Sequence, residues 1–121
     1  MEYEAIEALA RTVETGPAGN PAWEREVLGG LKSVFAGVQI DPAMLTSTEA
    51  AFALACTVFP AWKIELHGPA TATAGIWDCT IREGGTRDDD EVIGIGRGAT
   101  IPLALTAAMV LAAARRAQGY V

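Results

Sequence analysis

Apolar residues recur at helical spacing in the first third of the chain. The spacing predicts a helix over residues 2–14, and its apolar face consists of Ile6, Leu9, Ala10 and Val13. Asn20 followed by Pro21 is typical of the start of a second helix. The pair of glycines at residues 29–30 predicts that this second helix ends early. Residues 33–42 fit either a short strand or an ordered loop.

The middle of the chain changes from helical spacing to alternation. Thr46 and Glu49 have the spacing of a capping box, which predicts a third helix that ends before Pro60. Residues 62–67 and 75–82 then alternate between apolar and polar side chains, and residues 91–96 predict a third strand. Because the connections are short, we expect the three strands to be neighbours in an antiparallel sheet.

The chain ends on an alanine-rich helix that follows a predicted glycine break at residues 96–98. Thr100 is placed to cap this helix, and Pro102 lies in its first turn. The order α-α-α-β-β-β-α predicts an α/β fold of the α+β type, with helices packed on a three-stranded antiparallel sheet. We expect one domain over residues 1–121, in which an N-terminal helical segment (1–42) precedes an α-β-β-β-α core (43–121).

Composition and charge narrow the function classes. The 121 residues are half apolar and one-fifth charged, with a formal net charge of −6. This acidic balance argues against direct binding to nucleic acid, which needs concentrated positive charge. No secretory signal is present and the longest apolar stretch is too short for a bilayer, so we expect a cytoplasmic protein without membrane contact. Cys56 and Cys79 are expected to be reduced thiols in the core.

The second half of the chain carries a recognisable succession of segments. These are LTSTEAAFAL (45–54), strands led by Trp62 and Trp77, and ATIPLALTAAMVLAAARRA (99–117). Together with residues 7–27, which look like the start of alphaproteobacterial examples, they resemble small phage and prophage proteins related to the phage ABA sandwich domain. The resemblance implies an accessory protein of a phage. A known accessory role is inhibition of bacterial defence, as with anti-CRISPR proteins.

The densest run of charge lies between the second and third predicted strands. It consists of Arg87, Asp88, Asp89, Asp90 and Glu91. The carboxylates are suited to Mg²⁺ or Ca²⁺, but the EF-hand pattern is absent, and we expect neither metal nor cofactor. They are also suited to imitate phosphate on a basic surface of another protein. The remaining interpretation is that they only keep a hairpin soluble.

A different candidate site lies where the third strand meets the last helix. Gly96, Arg97 and Gly98 occupy the setting of a phosphate-binding turn, although their spacing matches neither GxGxxG nor GxxxxGK[ST]. With His67, the only histidine, they define the hypothesis of a small-ligand or nucleotide site. Nucleophile elbows, zinc-ligand spacings and Ser-His-Asp arrangements are missing from the sequence, so we expect no enzyme.

The leading functional prediction is therefore stoichiometric binding to a protein partner. The expected partner is a basic, nucleic-acid-binding complex of bacterial defence such as CRISPR–Cas, and residues 87–91 are the expected contact. Small-ligand binding is the alternative. A third hypothesis is a structural homodimer that associates through Trp23, Phe35 or exposed apolar helix faces.

Overall fold

A computed structural model of the chain describes residues 2–17, 19–69, 76–84 and 92–119. In these ranges the elements follow the predicted order α-α-α-β-β-β-α, which confirms the α+β class. The helices are α1 (Tyr3–Thr15), α2 (Pro21–Val34), α3 (Thr48–Val58) and α4 (Ile101–Gly119). The strands are β1 (Lys63–His67), β2 (Trp77–Arg82) and β3 (Ile93–Gly98).

Helices α1 and α2 pack against each other around Trp23. The side chain of Asn20 caps α2 by accepting a hydrogen bond from the Trp23 backbone N–H at 3.1 Å. The indole Nε1 of Trp23 donates to the Thr12 carbonyl of α1 at 3.0 Å. Gly16 leaves room for the ring, because a Cβ there would overlap it. Trp23 therefore joins the two helices through both its ring and its one polar atom.

Helix α2 runs through its glycine pair to Val34, so the prediction of an early end was wrong. The buried side chains of Val27 and Leu31 lie on either side of the pair and hold this turn in the core. Gly30 faces α1, where an added Cβ would lie 2.7 Å from a methyl carbon of Leu9. Tertiary packing thus outweighs the low helix propensity of glycine here.

The ambiguous segment 33–42 holds no strand. It contains the end of α2, a turn, and the start of a 3₁₀ turn (Pro42–Leu45). The cap of α3 also differs from the prediction by one residue. The Ser47 hydroxyl accepts from the Ala50 N–H at 3.2 Å, whereas the Thr46 hydroxyl donates back to the Ala43 carbonyl at 3.4 Å.

The sheet is an antiparallel meander in the order β1-β2-β3, as predicted. Strand β3 continues to Gly98, so the predicted break at residues 96–98 was wrong. One face of the sheet is buried around Cys79 and Ile81. The other face carries the polar side chains that alternate with them.

Helix α4 forms the centre of the molecule, because it packs on β2 and β3 on one side and on α1 on the other. Its side chains are buried almost all round, among them Leu105, Met109 and Val110. The glycines of β3 at 94, 96 and 98 face α4, and a Cβ on Gly96 would lie 2.6 Å from the Ala104 carbonyl oxygen. Small residues on both elements therefore let the helix backbone approach the sheet.

Two sequence expectations about exposure change. Trp23 and Phe35 are 9% and 4% exposed and belong to the core, so the hypothesis of a homodimer that associates through these two side chains is wrong. Cys79 is buried as expected, but Cys56 is exposed; both thiols are free.

In the part of the chain that the structure describes, no helix combines the length and the apolar character that crossing a bilayer requires.

Candidate functional site

The sheet face opposite α4 carries three cross-strand rows of side chains. The rows follow from the strand register and consist of Lys63, Arg82 and Ile93, then Glu65, Thr80 and Ile95, then His67, Asp78 and Arg97. Ile95 is 57% exposed at the centre of β3. We call this the open face, because the side chains on it are exposed or half-buried.

Charged groups on the open face lie close to groups of opposite sign. The Arg97 Nε lies 2.8 Å from an Asp78 carboxylate oxygen. The Glu65 carboxylate lies 3.8 Å from the Arg82 Nε and 3.7 Å from the His67 Nε2. Exposed pairs of this kind contribute about 0–1 kcal/mol each, so they orient the side chains more than they stabilise the fold.

The glycines of the alternative ligand site do not form a phosphate-binding turn. Gly96 and Gly98 lie in the β3 ladder and face α4, where an added Cβ would overlap helix backbone atoms. The backbone N–H of Arg97 donates to the Glu14 carboxylate of α1 at 2.8 Å. A phosphate cradle needs several free N–H groups that converge on one point, and this strand does not provide them.

The two side chains of that alternative site do share a row. His67 and Arg97 lie on the outer strands, and Asp78 lies between them on β2. The Asp78 carboxylate already forms an ion pair with the Arg97 guanidinium. The negative charge of Asp78 lies between the two candidates and opposes an anionic ligand, so this row does not favour nucleotide binding.

The acidic candidate contact, Arg87 with Asp88, Asp89, Asp90 and Glu91, lies outside the described residues. On either side of it the described chain reaches Gly84 and resumes at Val92, and the Glu83 N–H donates to the Val92 carbonyl at 3.0 Å. Segment 85–91 therefore connects two strand ends that are hydrogen-bonded to each other.

A shallow cleft of about 270 Å³ lies between α1 and α4, and the sequence did not predict it. It is lined by Tyr3, Glu7, Ala10, Arg11, Glu14, Leu111 and Arg115. Hydrogen bonds from Arg11, at 2.6 Å, and from Tyr3 lower the pKa of Glu7. In the sequence the charged positions Glu7 and Arg11 lie off the apolar face of α1, and only the placement of α4 beside them makes a cleft.

Metal ligands do not cluster in the described ranges, where no group of three or more His, Cys, Asp or Glu side chains is placed to hold an ion. Comparison of the chain with protein-family models, with curated proteins and with solved structures found no match.

Proposed function

We propose that this protein acts by stoichiometric binding to a basic protein surface, and that residues 87–91 make the contact. The observation that carries the proposal is the concentration of charge in this segment. Its three aspartates and one glutamate against one arginine leave −3, which is half of the chain's formal net charge of −6. The other half is spread over the rest of the chain.

The position of the segment along the chain supports a contact role. It connects β2 to β3 along the chain, and the two strands are hydrogen-bonded to each other at Glu83 and Val92 on either side of it. Closely spaced carboxylates present a field that resembles that of a phosphate backbone, which attracts a surface rich in Lys and Arg. Association driven in this way weakens as salt is added.

The partner we propose is a nucleic-acid-binding complex of bacterial defence, such as a CRISPR–Cas effector. Two points support it. The acidic segment is complementary to a channel that normally holds nucleic acid. The segments 45–54 and 99–117 also resemble those of small phage proteins, which implies an accessory role, and inhibition of host defence is one known role of phage accessory proteins. In this proposal the protein occupies the channel and blocks access of the target DNA.

The first prediction concerns neutralisation of this segment. The triple variant Asp88→Asn, Asp89→Asn, Asp90→Asn keeps side-chain size and removes three charges. We expect the concentration that half-inhibits target-DNA binding by a purified effector complex to rise at least ~10-fold, since close charge pairs at interfaces contribute more than ~1.4 kcal/mol in total.

A matched control removes the same number of charges from exposed positions elsewhere. Its substitutions are Glu4→Gln, Glu26→Gln and Glu49→Gln. If the control loses inhibition as fully as the aspartate variant, net charge and not this segment is responsible. If the unaltered chain inhibits no effector complex of any type, the proposed partner class is rejected.

A further inference from the structure

Among residues 2–17, 19–69, 76–84 and 92–119, none forms a backbone hydrogen bond to the outer edge of β1. The Glu83–Val92 hydrogen bond continues the register of β2 and β3, so odd-numbered residues of β2 bond to β3. Because bonded and non-bonded pairs alternate along an antiparallel ladder, even-numbered residues of β2 bond to β1. Their partners in β1 are odd-numbered. The backbone N–H and C=O groups of Ile64 and Leu66 therefore point away from the sheet.

The two edges of the sheet differ in what covers them. Helix α1 packs on β3, and its Glu14 carboxylate accepts the N–H of Arg97, which points outward from that edge. Helix α4 packs on β2 and β3. On β1 the inward side chains of Ile64 and Leu66 remain only half-buried. An exposed strand edge with half-buried apolar side chains is a template for pairing with another strand.

The charges of β1 complement a second copy of the same strand. We propose that two chains associate through their β1 edges, antiparallel about a two-fold axis at Ile64. In this register Lys63 lies opposite the partner's Glu65, and Glu65 lies opposite the partner's Lys63. These are non-hydrogen-bonded pairs, in which cross-strand side chains lie closest. The inference is independent of the proposed contact at residues 87–91.

The same register aligns the apolar side chains on the inner face. Ile64 lies opposite the partner's Ile64, and Leu66 lies opposite the partner's Trp62. Trp62 is itself half-buried and packs on Phe59 with ring centroids 4.7 Å apart. The product is one six-stranded antiparallel sheet with both α4 helices on one side and both open faces on the other.

The neighbouring registers are less favourable. An axis at Glu65 places that carboxylate directly opposite the partner's Glu65, and like charges in this position are destabilising. An axis at Leu66 places Ile64 opposite the partner's Gly68, a position over which the Trp77 ring already packs. It also leaves Lys63 without an opposite charge. Of these three axes, only the one at Ile64 pairs opposite charges and apolar side chains together.

A charge exchange tests this register. In a dimer of the Lys63→Glu variant, both cross-strand pairs between positions 63 and 65 consist of two glutamates. In a dimer of the Glu65→Lys variant, both of these pairs consist of two lysines. We expect each variant alone to dimerise at least ~10-fold more weakly than the unaltered chain, because two attractive pairs become repulsive. An equimolar mixture of the two variants restores both attractive pairs and is expected to recover the dimer as a heterodimer.

Sedimentation equilibrium measures the mass of each variant and of the mixture, and a dimer has twice the mass of the 12.6 kDa chain. The controls Lys32→Glu and Glu26→Lys make the same charge changes at exposed positions on α2 and are expected to remain dimeric. Circular dichroism establishes that each variant is folded. The proposal is overturned if the unaltered chain is monomeric at high micromolar concentration, if the single variants stay dimeric, or if their mixture does not recover the dimer.

Discussion

The two cysteines of the chain differ in burial. Cys79 is the buried one. It lies on the inner face of β2, opposite Gly96, with no exposed surface. Burial raises the pKa of its thiol to about 12, because the interior disfavours the charged thiolate. Cys56, on α3, is exposed. We therefore expect the two thiols to differ in reactivity, although the sequence places both among apolar neighbours.

The second prediction is that only one thiol reacts in the native protein. Since the thiolate is the reactive form, Cys56 should react with a disulfide reagent at once and Cys79 only on unfolding. Cys56→Ser should abolish the fast phase and leave the slow one. Two thiols that react equally fast in the native protein would contradict the buried position of Cys79.

The third prediction is a loss of stability in alkali that depends on Cys79. Because its folded pKa is raised, the unfolded thiol ionises first, near its ordinary pKa of 9.0, and the folded thiol only near 12. This contribution is complete below pH 9 and is lost as pH rises from there towards 12, with a slope of up to ~1.4 kcal/mol per pH unit. Urea unfolding across this range measures it. In Cys79→Ala the extra slope should vanish; an unchanged slope would refute the assignment.

Among the elements, the contact between β3 and α4 depends on glycine. The three glycines of the strand face the helix, and the helix presents alanines to them, so that two backbones pack with little side chain between. Glycine has a low β-propensity and weakens the strand. It is nevertheless required here, because the helix backbone approaches the strand closely.

The fourth prediction compares two glycines. In Gly96→Ala the new methyl group overlaps backbone atoms of α4, which cannot rotate away, and we expect a loss of about 3 kcal/mol in the free energy of unfolding. Gly29→Ala is the matched control, because Gly29 lies inside α2 and its Cβ would meet nothing within 4 Å. It should stabilise the protein by roughly 0.5–1 kcal/mol. Equal effects of the two substitutions would show that α4 does not lie close to β3.

Glycines in β3 and α2 show where prediction from the sequence succeeded and where it failed. Periodicity gave the type and order of all the main elements, because it reflects which side of each element is buried. It placed a break at Gly96 and an early helix end at Gly29, since glycine was read by local propensity alone. Both glycines lie inside regular elements. Gly96 packs on α4, and the buried side chains of Val27 and Leu31 hold the turn of α2 that contains Gly29. The cleft at Glu7 and Arg115 was missed for the same reason, because it needs two helices distant in sequence.

At the scale of the molecule, the sheet separates two unlike sides. One side is the packed interior between α4, α1 and the sheet. The other is the open face, with the acidic residues 87–91 connecting two of its strands. The net charge and these surfaces together favour binding as the mode of action, and association through β1 would present two acidic segments on one assembly.

The most direct test of this account is a titration of stoichiometry. A purified defence complex that the protein inhibits is held well above the dissociation constant, and its DNA-binding activity is followed as the protein is added. Stoichiometric binding predicts a linear fall to zero at one chain, or one dimer, per binding site. Complete inhibition at a small fraction of that ratio would show turnover, and would contradict the claim that the protein acts by occupying its partner.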